Sequence, residues 1–248
     1  MPEKKARLDQ ILFDRGLVDS LTHARALIMA GAVYTGEKRL DKPGNQTPLD
    51  TPLAVRTKDH PWVSRGGLKL DHGLEHFQID VEGMIAIDVG ASTGGFTDVL
   101  LSRGVLSVYA VDVGYGQLDS KLRDDDRVTV LERTNARHIN SEQVPLPTDI
   151  VVCDASFIGL RTILPAAMQL TRSGAYLVAL IKPQFEVGKE SVGKKGVVRD
   201  PGLHQGVCDM ISTWLSDQSD WSVIGIVESP ITGPEGNKEF LIAARRSS

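Results

Sequence analysis

Four charged residues, Lys69, Asp154, Lys182 and Glu239, stand at the edges of apolar segments rather than inside polar loops. Asp154 follows "IVVC", Lys182 follows "LVALI", Glu239 opens "EFLIAAR", and Lys69 comes shortly before the first apolar strand of the body. Any one of them could be a solvated charge at a strand end. Taking an isolated charge out of water costs several kcal/mol, so charges carried by buried strands require partners. Two lysines and two carboxylates brought together would neutralise one another. Such a set is a candidate for acid–base chemistry, which would need one lysine uncharged at the right moment. A free lysine, with a reference pKa of ~10.4, is protonated and useless as a base; desolvation and a nearby cation favour its neutral form, while carboxylates oppose it.

A second signal is "IDVGASTGGF", where Gly90, Gly94 and Gly95 allow a tight strand-to-helix turn and a close backbone approach to a ligand. The next strand ends at Asp112, about 22 residues after Gly90, a separation suited to an acid that hydrogen-bonds a ribose diol. No P-loop lysine follows, which disfavours a nucleoside triphosphate. The pattern fits either a nucleoside-type cofactor or an ordinary α/β turn with a solvated aspartate, and the three features together favour the cofactor.

These residues need a scaffold. After residue 83 the chain alternates apolar strands ("MIAIDVG", "LSVYAVDVG", "RVTVLE", "DIVVCDAS", "AYLVALIK", "WSVIGIVES", "EFLIAAR") with helical stretches ("FTDVLLSRG", "LRTILPAAMQL", "GLHQGVCDMISTWLSDQ"). That order predicts an α/β fold, with a mostly parallel sheet covered by helices on both faces. In such sheets ligands bind beyond the carboxyl ends of the strands, where Asp154 and Lys182 lie. Before it, "HPWVSRGGLKLDHGLEHF" forms a seam, with Pro61 and Gly66-Gly67 expected to break structure on both sides of Trp62. His72 and His76 are spaced like helix-borne zinc ligands but lack a third ligand, and are expected to be surface residues, with no metal bound.

The first sixty residues form a different piece. "ARLDQILFDRG" places Leu8, Ile11 and Leu12 on one helix face with Gly16 as stop; Ser20 caps a second helix with Ala24, Leu27 and Ile28 inward, ended by Gly31. "AVYTGEKRL" reads as strand, turn, strand, and "DKPGNQTPLDTP" as a loop. Residues 1–70 carry 12 Lys and Arg against 8 Asp and Glu, a balance of +4, whereas the remaining 178 carry 16 against 24, or −8. A basic head on an acidic body suits a polyanion partner, though chance scatter would look the same. The expected division is a head at 1–60, a linker at 61–68 and a body at 69–248. Composition, 41% hydrophobic and 24% charged, is that of a globular protein. No apolar run approaches the ~20 residues of a membrane span. Cys153 and Cys208, far apart, suggest a reducing cytoplasm rather than a disulfide framework.

The head resembles ribosomal-protein-S-four-type RNA-binding domains on Arg7-Leu8-Asp9, Gly16-Leu17, Ser20, Ile28, Gly31 and Pro43-Gly44, although Leu21 replaces the usual arginine and "YTG" a Val-Asn-Gly turn. The whole chain is similar to the TlyA family, whose bodies are of the FtsJ/RrmJ type, on "SRGGLKL", "DVGASTGGFTD", "CDASF", "LIKPQFE" and "GNKEF". That resemblance implies a Rossmann-like methyltransferase body, S-adenosylmethionine (SAM) as cofactor, and ribose 2′-O-methylation of cytidine in 16S or 23S ribosomal RNA. It implies a Lys-Asp-Lys-Glu catalytic set at Lys69, Asp154, Lys182 and Glu239. It further implies a SAM loop of Asp88, Gly90, Ala91, Ser92, Gly94, Gly95 and Phe96, Asp112 at the ribose, and Glu132, Arg133 and Asn135 on the adenine side. The expected partner is ribosomal RNA or a ribosomal subunit, met by Arg7, Arg15, Arg25, Lys38 and Arg39 of the head, by Arg65, and by Lys189, Lys194, Lys195 and Arg199 of the glycine-bearing loop "VGKESVGKKGVVRDP", which reads as a phosphate-contacting flap or an idle charged loop. A monomer that avoids membranes is the simplest expectation. Lys182 is expected nearest the reacting hydroxyl, with Lys69 biasing its charge and steering the ribose and both acids orienting the lysines. Alternatives are a catalytically idle assembly factor, against which the complete charged set argues, and a membrane-lytic haemolysin, which no long apolar segment supports.

Overall fold

The computed structural model describes residues 4–18, 20–29, 31–36, 38–55, 60–188, 191–233 and 235–247, with the side chains of Ala26 and Lys194 left outside the description. The chain divides into two compact units, Met1–Pro61 and Trp62–Ser248. The first carries β1 (Lys5–Arg7), α1 (Leu8–Asp14), α2 (Leu21–Met29), β2 (Val33–Thr35), β3 (Lys38–Arg39), β4 (Gln46–Pro48) and β5 (Ala54–Val55). Leu8, Leu12, Val18, Ala24, Ile28 and Val33 bury together as its core. Both helices end on a left-handed glycine, Gly16 at φ +65° and Gly31 at φ +71°. The next amide then bonds back to a carbonyl five residues earlier, Leu17 to Leu12 and Ala32 to Leu27, which satisfies helix-end carbonyls. Ser20 Oγ accepts from the His23 amide, the expected cap. The segment read as a loop after residue 40 contains a strand: β4 pairs antiparallel with β1, Ala6 opposite Thr47. Three residues without alternation leave no sequence signal for such a pair.

The second unit holds α3 (Gly66–His76), β6 (Ile85–Val89), α4 (Gly95–Ser102), β7 (Ser107–Val111), α5 (Ser120–Arg123), β8 (Val128–Leu131), β9 (Thr148–Cys153), α6 (Leu160–Gln169), β10 (Thr171–Ile181), α7 (Pro183–Glu186), α8 (Pro201–Ser216), β11 (Trp221–Glu228) and β12 (Phe240–Arg246). Its seven strands run in the order β11-β12-β10-β9-β6-β7-β8. β8 through β10 pair in parallel, and β12 runs antiparallel to both β10 and β11. Side chains alternate between two cores. Ile87, Val89, Val151, Cys153, Leu177 and Ala179 face α6 and α8, whereas Ala86, Ile150, Val152, Val178 and Leu180 face α3 and α4. Strands buried on both faces explain the continuous apolar runs of the sequence.

Gly66 and Gly67, expected to break the chain, instead open α3. A Cβ at Gly67 would overlap the Trp62 side chain, so the glycine serves close packing inside a helix rather than a turn. The rings of His72 and His76 lie 6.0 Å apart between centroids, and no group of three His, Cys, Asp or Glu among the described residues could hold a metal. No helix among the described residues is long and apolar enough to cross a membrane. Cys153 and Cys208 are buried and free, and burial pushes their thiols up to about 12 and about 11.

Candidate active site

Strand register brings the charged residues to one level. Val89 of β6 and Ala179 of β10 both align with Cys153 of β9, so Gly90 and Asp154 emerge side by side; the Asp154 amide donates to the Val89 carbonyl at 3.1 Å. β10 runs two residues further, to Ile181, whose partner is Phe240 of β12. Lys182 and Glu239 are therefore the next residues outward on neighbouring antiparallel strands. The chain reverses strand order between β6 and β9, the position at which α/β sheets open a crevice. Lys69 reaches this level from α3, which is fixed by Leu70 and Leu74 in the core on that face of the sheet.

The four groups form one chain of ionic contacts. Lys69 Nζ lies 2.6 Å from Glu239 Oε2 and 3.7 Å from Asp154 Oδ2. Lys182 Nζ lies 2.6 Å from Asp154 Oδ1, though off hydrogen-bond direction for that oxygen, and donates to Ser156 Oγ at 2.9 Å and to the Asp154 carbonyl at 3.2 Å. Lys69 and Lys182 are each 7% exposed and Glu239 2%, while Asp154 keeps a side-chain exposure of 20%. Two cations and two anions, nearly dry, are thus spent on one another. All four line a cavity of about 810 Å³, within the size range of small-molecule sites.

The same cavity is walled by Gly90, Ala91, Ser92, Thr93, Gly95 and Phe96. Gly90 has φ +82°, and a Cβ there would come within 2.9 Å of the Ala155 Cα; Gly95 leaves no room for a Cβ between Ser64 and Gly67. A turn that only glycine can make, backbone exposed to the cavity and α4 beginning immediately behind it form a cradle that fits the SAM implied by the resemblance. Gly90→Ala should weaken S-adenosylhomocysteine binding roughly 10- to 100-fold through backbone strain, read by titration calorimetry. Undiminished affinity would remove the turn from the cofactor site.

Two predicted loop residues, Gly94 and Asp88, and the predicted ribose acid, Asp112, do not line this cavity. A Cβ on Gly94 would strike Leu118 and Leu122, so this glycine faces the core. Asp88 is fully buried behind the turn, Oδ2 accepting from Thr97 Oγ1 at 2.7 Å and Oδ1 without a hydrogen-bond partner among the described residues. Asp112 accepts from the amides of Ser92 at 2.8 Å and Gly114 at 2.7 Å. It borders a small separate crevice that it shares with Ala91, Ser92, Gln117 and Glu132. The sequence placed the acid at the right strand end but could not show that two turn amides claim its oxygens. Of the adenine-side candidates, Glu132 pairs with Arg123 at 2.6 Å, Arg133 stacks 4.1 Å over the Tyr115 ring, and Asn135 accepts from the Arg137 amide.

Burial pushes Asp88 up to about 7, with the Thr97 hydrogen bond pulling down and the Asp154 charge adding to the rise. A folded carboxyl raised in this way holds a proton that the unfolded chain releases, so its contribution to stability is full below about pH 4 and lost as pH rises through about 7. Asp88→Asn has no such loss. Its melting temperature should gain on that of the parent between about pH 4 and 7 and gain no more above about 8, measured without cofactor; parallel pH profiles would contradict this.

The RNA candidates are scattered. Arg65 and Lys195 line the cavity, and Arg199 is exposed beyond it; Lys189 and the Lys194 side chain lie outside the described residues. In the first unit Arg7 and Arg25 both pair with buried Asp9, at 2.7 and 2.9 Å, and their guanidinium groups help hold its carboxyl at about 2. Arg15 instead caps carbonyls, those of Leu49 and, at 2.7 Å, Thr51. Lys38 and Arg39 are exposed on β3. Sequence reasoning passed over Ser156, Gln184, Thr232 and Asn237, which also line the cavity. All but Thr232 sit in or beside the "CDASF", "LIKPQFE" and "GNKEF" stretches. Glu186 of the second stretch is structural: it accepts from the Leu160 amide at 2.6 Å at the start of α6.

Residues 62–246 match the family model for FtsJ-like methyltransferases, and residues 6–46 that for the S4 domain. YqxC of Bacillus subtilis, provisionally named an rRNA methyltransferase, is 49% identical over 245 residues, spanning 98% of this chain and 86% of that protein. The 16S/23S rRNA (cytidine-2′-O)-methyltransferase TlyA of Mycobacterium tuberculosis is 46% identical over 243 residues, spanning 98% and 90%. A solved structure from Streptococcus thermophilus, provisionally named a haemolysin, superposes with a TM-score of 0.75 at 41% identity, covering 99% of this chain and 90% of that one.

Proposed function

The chain belongs to the TlyA family of FtsJ-like methyltransferases, with an S4 domain ahead of the methyltransferase body, and on that premise we propose how its residues carry the reaction. The enzyme is a SAM-dependent rRNA (cytidine-2′-O)-methyltransferase. When bound, SAM supplies a methyl group already activated for displacement on its sulfonium sulfur. The chain must then present a ribose hydroxyl in line with that methyl and take its proton.

Lys182 takes the proton as a neutral amine, its ammonium having first released one proton to solvent, so that the ribose proton restores the cation. Lys182 touches one carboxylate and one neutral hydroxyl, whereas Lys69 stands between two carboxylates, so Lys69 is the better-held cation and Lys182 the group freer to change charge. Asp154, bridging the two, fixes their spacing. Glu239 anchors Lys69 and keeps its charge directed at the ribose oxygen. Burial of three of the four groups keeps competing water away. The observation supporting this reading is the continuous Glu239–Lys69–Asp154–Lys182 ion chain on the wall of a cavity shared with the glycine turn.

Arg7, Arg25, Lys38 and Arg39 of the head, with Arg65, Lys195 and Arg199 of the body, meet RNA phosphates, and the protein works as a monomer in the cytoplasm where ribosomal particles are found. Incubating purified protein with unmodified ribosomal subunits and methyl-labelled SAM, then digesting to nucleosides, should yield labelled 2′-O-methylcytidine. Label recovered only on a base, or none at all, would overturn the assignment.

A further inference from the structure

The cavity wall carries two cations, Arg65 and Lys195, that make no ion pair among the described residues. Lys195 lines the wall, is exposed, and makes no ion pair among the described residues. It also adopts φ +64°, followed by Gly196 at φ +74°, a left-handed conformation that costs a lysine energy and persists only when surrounding structure enforces it. Backbone bonds hold the turn from within, the Gly196 amide donating to the Gly193 carbonyl and the Gly193 amide to the Val197 carbonyl, both at 3.1 Å, and a side chain holds it from outside. Asn237, 3% exposed, donates from Nδ2 to the Gly196 carbonyl at 3.0 Å and accepts at Oδ1 from the Val198 amide at 3.0 Å. One amide side chain thus grips the loop on either side of residue 197. Buried His204 of α8 also contacts the Val198 carbonyl through Nε2 at 2.9 Å.

Asn237 is also two residues from Glu239, in a segment folded around that acid. The Gly233 amide donates to the Asn237 carbonyl, the Ser229 amide to the Glu239 carbonyl, and a Cβ on Gly233 would lie 2.7 Å from Glu239 Oε1. The catalytic acid and the lysine loop are therefore held by one piece of chain.

We propose that Lys195 forms a phosphate subsite at the rim of the catalytic cavity, gripping a phosphodiester beside the target ribose, and that Asn237 is the positioning residue that holds it there. The proposal rests on the RNA methyltransferase reading and adds to it how one of the body's phosphate contacts, Lys195, is held in place and by which residue. Lys69 and Lys182 are spent on carboxylates, so Lys195 is the cavity lysine available to a phosphate. A compact ammonium on a fixed loop suits a phosphate oxygen as a point charge.

Steady-state methyl transfer to unmodified ribosomal subunits, run at several salt concentrations, tests it. Lys195→Ala should raise the KM for subunits roughly tenfold, reduce the salt slope of kcat/KM by about one unit, and leave SAM binding unchanged. Asn237→Ala should reproduce that pattern, and Lys195→Ala/Asn237→Ala should be no worse than either single change, as expected when one residue acts through the other. Additive losses, or an Asn237→Ala effect on SAM affinity with no change in salt slope, would overturn the latch. If Asn237→Ala fails to fold, Lys195→Ala decides alone, since an unchanged KM and salt slope would overturn the subsite. An unaltered enzyme without activity on subunits would instead overturn the parent reading.

Discussion

Lys182→Ala should lower the methyl-transfer rate by about 10³- to 10⁴-fold while leaving the protein folded and SAM bound. Loss of the ammonium does not strand its partner: Asp154 keeps Lys69 at 3.7 Å and a side-chain exposure of 20%, so both a counter-ion and water remain. Single-turnover rates at saturating cofactor and RNA isolate the chemical step. Lys182→Arg should be nearly as inactive, because a guanidinium keeps its proton and cannot accept one. A Lys182→Arg enzyme with near-normal rates would show that residue 182 is needed only as a cation, and proton removal would pass to solvent.

The second large effect separates catalysis from stability. Glu239→Ala removes the 2.6 Å partner of a lysine that is 7% exposed and leaves it only the longer 3.7 Å contact with Asp154; breaking a buried pair costs up to about 3–5 kcal/mol. Glu239→Ala should therefore melt well below the parent and also lose activity. Replacing both partners with apolar side chains, Lys69→Met/Glu239→Leu, should recover most of that stability, since a well-packed apolar pair is often neutral or stabilising by about 1–4 kcal/mol relative to a buried ion pair. The double variant should nonetheless be inactive. If it stayed as unstable as Glu239→Ala, the ion pair would be part of what holds the sheet end together; if it kept methyl transfer, Lys69 and Glu239 would have no place in the reaction.

Much of this was legible before any coordinates. Strands β6, β9 and β10 are buried on both faces, so "IAIDV", "IVVC" and "YLVALI" read as apolar runs, and charges at their ends stood out against that background. What stayed hidden was set by neighbours distant in sequence. The β1–β4 pair joins Lys5–Arg7 to Gln46–Pro48, short polar pieces that become strands only by meeting. Gly66 and Gly67 looked like breakers because Trp62, which forbids a Cβ at residue 67, leaves no mark in the local pattern. Asp112 was placed at its strand end, yet its carboxylate is claimed by two turn amides whose direction no spacing rule gives. Asn237 lay in a stretch already singled out, but its partners Gly196 and Val198 are about forty residues away. Lys69 could be listed with the other three ionic residues; only α3 packing on β10 and β12 shows why it reaches Glu239.

The most direct measurement is a ribose-methylation map of ribosomal RNA from cells lacking this gene and resupplied with either the parent protein or Lys182→Ala. The ionic chain beside the glycine turn predicts that the parent restores 2′-O-methylation at cytidine and that Lys182→Ala, present at equal abundance, restores none. Equal restoration by the two proteins would contradict the assignment of this cluster as the catalytic centre.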